Sequence, residues 1–150
     1  MEHLLSVELN LPVLLNNLVR LGLAFLLAMP VAWERETSDR RLGFRTFPLV
    51  SMASCAFVLI SADDSGEFSD AEARIVQGVI TGIGFIGGGA ILKNDSRVTG
   101  TATAAGIWAT GAIGAAVAVG HVEAALALSL VAFLTLRLLS PLKDKLDETH

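Results

Sequence analysis

The sequence predicts an all-α, polytopic membrane protein with five transmembrane helices, its N-terminus outside and its C-terminus cytoplasmic. Three observations lead there. The segment Arg74–Leu92, RIVQGVITGIGFIGGGAIL, carries no charge after Arg74 until Lys93, and a bilayer core takes roughly 20 helical residues to cross. Its six glycines would weaken a helix in water, but in lipid they flatten a face so that another backbone can come close. Of the 150 residues, 53% are hydrophobic and 17% are charged, where soluble domains carry about 25% charge. Finally, the charged residues bunch between apolar blocks, and the bunches alternate in sign.

The spans are expected at about residues 12–33, 45–61, 74–92, 100–119 and 121–139, forming one helical domain over 1–150. Pro12 suits the first helical position, where a missing N–H costs nothing. Pro30 lies inside the first span and predicts a kink. The second span is the shortest, with an apolar centre at Phe47–Ile60. Ser69-Asp70-Ala71-Glu72 has the spacing of a capping box and is expected to start the helix leading into the third span. Pro141 is expected to end the last helix soon after the membrane. MEHLLSVELN contains no Lys or Arg, so a cleaved signal peptide is not expected. Beyond the last span only a short helical stub is expected.

Orientation follows from the connecting segments. Arg35, Arg40, Arg41 and Arg45 fall between the first two spans, Lys93 and Arg97 between the third and fourth, and Lys143 and Lys145 after the fifth. Asp63, Asp64, Glu67, Asp70 and Glu72 fall between the second and third without a Lys or Arg. Lys and Arg favour the cytoplasmic side.

Several function classes are excluded. There is no basic patch and no aromatic motif for nucleic acid. Cys55 is the only cysteine, so an internal disulfide and a cysteine metal cluster are excluded, and a buried apolar role is expected. His3, His121 and His150 are scattered. Gly82-Ile83-Gly84-Phe85-Ile86-Gly87 matches G-x-G-x-x-G, but a nucleotide fingerprint needs a strand, a turn and a helix rather than one apolar run. No serine or cysteine has an obvious base partner, and no enzyme is expected.

Small residues recur at helical spacing. Ala102, Gly106, Thr110, Gly114 and Ala118 form one row on the fourth span; Gly78 with Gly82, and Gly84 with Gly88, form rows on the third. These rows are expected to pack the two spans together, or to serve a homo-oligomer. Arg20 is the sharpest residue. It lies roughly 12 Å into the first span, and a central arginine costs at least about 2.5–3.5 kcal/mol, so it should face the bundle and find a partner. Asn16 and the carbonyls of the glycine-rich span are candidates. Gln77 and Thr81, with Gly84 and Gly88, mark a narrow polar face that suits either a solute path or interhelical hydrogen bonds. Together Arg20, Asn16, Gln77, Thr81, Gly84 and Gly88 are the expected buried site. Glu34, Arg35, Glu36, Arg45 and Asp95 gather at the cytoplasmic mouth. There the carboxylates of Glu34, Glu36 and Asp95 suit Mg²⁺ chemically, or form a salt-bridged rim with the arginines. No cofactor is expected apart from that possible Mg²⁺.

With these motifs in place, the chain resembles the MgtC/SapB family of bacterial membrane proteins. It carries the family's first-helix arginine at Arg20, its Glu-Arg-Glu at Glu34, Arg35 and Glu36, and its Gly-Phe-Arg-Thr at Gly43, Phe44, Arg45 and Thr46. Arg74 and Gln77 precede the glycine stretch from Gly82 to Leu92, and Val98, Gly100, Thr103, Ala104 and Ala105 keep part of the next motif. Phe47 stands where many members have histidine, Ala102 replaces a threonine and Gly88 an alanine. The resemblance covers the transmembrane part; the small cytoplasmic regulatory domain of several members is not expected. It implies a multi-pass protein of the bacterial inner membrane tied to Mg²⁺ limitation and, in pathogens, to virulence. The implied action is regulation of other membrane proteins such as ATP synthase, or transport of Mg²⁺ or another small solute. An embedded Arg20 would suit an anionic solute better than a cation.

Overall fold

The computed structural model describes residues 9–39, 43–61, 69–94 and 97–147. It is all-α, with α1 (Leu11–Asp39), α2 (Thr46–Ser61), α3 (Asp70–Gly89), α4 (Thr101–Ala118) and α5 (Val122–Asp147). Among the described residues, three helical stretches are long and apolar enough to cross a membrane: Leu11–Thr37, Thr101–Ala118 and Val122–Leu139. α2 is a shorter apolar helix, and α3 falls outside these three although it has 20 residues. Phe85 is 86% exposed and Ile60 81%. Apolar surface on that scale is unfavourable in water and suits lipid.

Sequence-local signals set the helix starts. Asn10 Oδ1 accepts from Val13 N at 3.3 Å and caps α1, which places Pro12 one residue past the expected first position. The capping box is present: Ser69 Oγ accepts from Glu72 N, and Glu72 Oε2 accepts from Ser69 N at 2.8 Å. Pro48 lies in the first turn of α2, where its missing N–H is harmless.

The ends depart from expectation in two places. The third span was expected to continue to Leu92, but α3 stops at Gly89. The chain then forms a two-stranded antiparallel hairpin, β1 (Leu92–Asn94) and β2 (Arg97–Thr99). Gly100 follows at φ +83°, and a Cβ there would strike the Ala90 carbonyl. The hairpin thus closes tightly before α4. α5 runs through Pro141 to Asp147 instead of stopping there; a proline removes one helical hydrogen bond without ending every helix.

α4 is the central helix and packs against all four others. Half of its span is buried, against 11% for the spans of α1 and α5. Its glycines explain the closeness. A Cβ at Gly106 would lie 2.8 Å from the Phe47 ring; one at Gly114 would strike the Ser51 backbone; one at Gly111 would strike Ile83. The expected row of small residues on α4 therefore does pack, but mainly on α2 rather than α3, and Ala102 at its start is exposed. Two apolar clusters fill the bundle. One contains Ala24, Cys55, Val58, Ile113, Val117 and Ala125. The other contains Val31, Ala32, Phe47, Ile83 and Ile107. Two serines tie neighbours to α1: Ser51 Oγ donates to Ala24 O at 2.9 Å, and Ser129 Oγ to Leu27 O at 2.6 Å.

Candidate functional site

The end of α4 shows what Arg20 is for. A helix leaves its last four carbonyls without intrahelical partners. Here Val119 N donates to Ala115 O, His121 N to Ala116 O at 2.9 Å, and Gly120 N to Val117 O at 3.1 Å. The last two are the bonds of a Schellman motif, which needs a left-handed residue after the cap; Gly120 supplies it at φ +84°. None of these bonds reaches Ala118 O, and Arg20 Nη1 donates to it from α1. The guanidinium also places positive charge at the negative end of the helix dipole. The partner of Arg20 is thus a backbone carbonyl on α4. It is neither Asn16, which is exposed, nor a carbonyl of the glycine-rich α3.

The far end of α1 holds the expected mouth. Glu34 and Arg35 are buried, at 2% and 6% exposure. Glu34 Oε2 lies 3.5 Å from Arg137 Nη1 on α5, an arginine far from it in sequence. Glu36 Oε2 accepts from Gly43 N at 2.9 Å and Phe44 N at 3.2 Å. It therefore holds the turn into α2, and Trp33 packs edge-on against Phe44 there with ring centroids 6.0 Å apart. Arg35 Nε is buried without a hydrogen-bond acceptor. Arg45 is exposed on the same turn. Of the three expected Mg²⁺ carboxylates, Glu34 and Glu36 are engaged in these contacts, and among the described residues no group of three His, Cys, Asp or Glu could hold a metal ion. Asp95, the third candidate, lies outside the described residues, as do Arg40, Arg41, Asp63, Asp64 and Glu67.

α3 does not join Arg20 in one buried site. Gln77, Thr81, Gly84 and Gly88 are all exposed along one outward row. Thr81 Oγ1 donates to Gln77 O of its own helix at 2.9 Å. A Cβ at Gly78, Gly82, Gly84 or Gly88 would meet nothing within 4 Å. The contacts of α3 with α4 run instead through Ile83 and Gly87, which approach Gly111 and Ala104. Thr110, expected on a packing row, is buried and bonds back to Gly106 O and Ile107 O of its own helix.

Comparison with known proteins matches the MgtC family over residues 21–145. The chain belongs to the MgtC family. Its relatives include Protein SrpB of Synechococcus elongatus, 40% identical over 67% of this chain and 62% of that protein. They also include a putative magnesium transporter, YhiD, of Escherichia coli, 32% identical over 86% of the chain and 63% of that protein. Protein MgtC of Brucella abortus is 34% identical over 83% of the chain and 51% of its own length. The chain therefore spans less than two thirds of these relatives. No solved structure matches it.

In this MgtC-family chain, sequence reasoning found Arg20, Glu34 and Glu36 but not what they bind. A carbonyl partner such as Ala118 has no side-chain signature. Gly120 ahead of a new apolar block was the one local sign that α4 ends in a left-handed turn. Arg137 carries no local sign that it would reach Glu34, 103 residues away.

Proposed function

We propose that this MgtC-family chain is a multi-pass protein of the bacterial inner membrane that regulates other membrane proteins during adaptation to low Mg²⁺. In this reading five helices cross the bilayer, with the N-terminus outside and the C-terminus inside. The protein assembles as a homo-oligomer, uses no cofactor and catalyses no reaction. The observation that carries it is the job of Arg20. Arg20 of α1 is spent on the end of α4, next to a core of Ala24, Cys55, Val58, Ile113 and Val117. That is the chemistry of a scaffold. The open row Gln77, Thr81, Gly84 and Gly88 offers a flat face with two polar groups, suited to a helix of another membrane protein. ATP synthase is one such partner, and a role in virulence would follow from the same regulation.

The second reading is transport of Mg²⁺ or another small solute, favoured by the name of the Escherichia coli relative. It needs a path between copies, lined by Gln77 and Thr81. Flux into proteoliposomes holding only this protein separates the two. The expected result is no Mg²⁺ entry from folded, inserted protein. Entry that is lost in Gln77→Leu or Thr81→Val at equal insertion would replace the regulatory reading with transport.

A further inference from the structure

We infer that the groove between α2 and α3 binds one phospholipid, with an acyl chain in the groove and the phosphate on Arg74. This rests on the reading that α3 crosses the membrane. The groove has a volume of about 590 Å³ and is open along its side. Leu49 and Phe57 of α2 form one wall, and Gly78, Gly82 and Ile86 of α3 the other. The glycines make it deep, because a Cβ at either would meet nothing within 4 Å.

Length and charge select the occupant. From Arg74 to Ile86 the helix rises roughly 18 Å. One leaflet of hydrocarbon is roughly 15 Å, half of a core of about 30 Å. Arg74 lies one turn from the polar start of α3 at Asp70, at the height where lipid phosphates sit. It lines the groove, is exposed, and forms no ion pair among the described residues. The nearby Glu72 carboxylate is taken by the capping box. A second copy docked here about a two-fold axis along the membrane normal would bring both Arg74 side chains to one level, cation towards cation. A phosphate diester satisfies the same group with two charge-assisted hydrogen bonds.

The test is lipid retention by the full chain, measured by native mass spectrometry after release from mixed phosphatidylglycerol and phosphatidylcholine. The expected result is one retained phospholipid, phosphatidylglycerol over phosphatidylcholine, with retention falling about fivefold in Arg74→Gln and kept in Arg74→Lys. Gly82→Leu fills the groove and should abolish retention with helical content unchanged. Wild-type retention in both Arg74→Gln and Gly82→Leu overturns the site. So does loss of a dimer, rather than of lipid, in Gly82→Leu, which would give the groove to a second copy. Labelling Ala73→Cys and Lys93→Cys, in a Cys55→Ser background, with an impermeant thiol reagent reads the span separately. Labelling of both from one side overturns the crossing of α3 and the lipid site with it. Opposite sides without selective retention overturn the lipid site alone.

Discussion

α3 and α4 carry small residues at the same four-residue spacing and use them in opposite ways. On the α4 row, the space beside Gly106 and Gly114 is filled by Phe47 and the Ser51 backbone, and Ile83 fills that beside the neighbouring Gly111. On α3, Gly78, Gly82, Gly84 and Gly88 face open space. The difference lies in what stands between the glycines. On α4 the large residues Ile107, Ile113 and Val117 are themselves buried beside the glycines, while Trp108 on the other side is exposed, so half of the span meets protein. Between the glycines of α3 stand Ile80, Phe85 and Ile86, which are exposed. Glycine spacing identifies a flat face; the neighbouring side chains decide whether the chain itself covers it.

Substitutions at four positions would break or sharpen that contrast. The largest effect is expected from Gly114→Val, which drives a branched side chain into the Ser51 backbone. It should cost about 3 kcal/mol, read as thermal unfolding in detergent, and an unchanged melting point would mean that α2 and α4 do not meet here. Arg20→Met should cost about 2 kcal/mol, from an unpaired carbonyl and a lost charge at the helix end. Arg20→Lys should recover part of it; equal losses would show that charge contributes nothing. Arg137→Met should cost about 1 kcal/mol, because the arginine is largely exposed and screened; an effect insensitive to salt would contradict a rim ion pair. Gly84→Leu should leave subunit stability within about 0.5 kcal/mol of wild type while altering oligomer size or partner capture. A strong loss of fold would place α3 in a different packing.

The legible parts of this fold are those encoded within a few residues. The Ser69–Glu72 capping box, the apolar helices and the close-packed row on α4 all follow from short-range pattern. The β1–β2 hairpin was missed because three-residue strands are too short to show alternation. The glycines of α3 suggested packing against α4, since sequence shows a flat face but not its orientation. At the site, Arg20 stood out because an embedded cation is costly, but a backbone carbonyl leaves no trace in side-chain pattern. The Glu34–Arg137 pair spans 103 residues, and nothing near either residue announces the other.

The bond from Arg20 to Ala118 also has a history in time. It joins residues 98 apart, and Ser129 reaches back to Leu27 over a similar gap. At roughly 5–20 residues per second of synthesis, α1 is made about 5–20 s before its acceptor exists. During that interval the guanidinium must keep to water or headgroups at the membrane surface. Arrival of the α4–α5 hairpin offers Ala118 O and draws Arg20 inward. A side chain of the first helix made is therefore among the last to be paired, and a nascent chain arrested before Ala118 leaves that arginine at the interface.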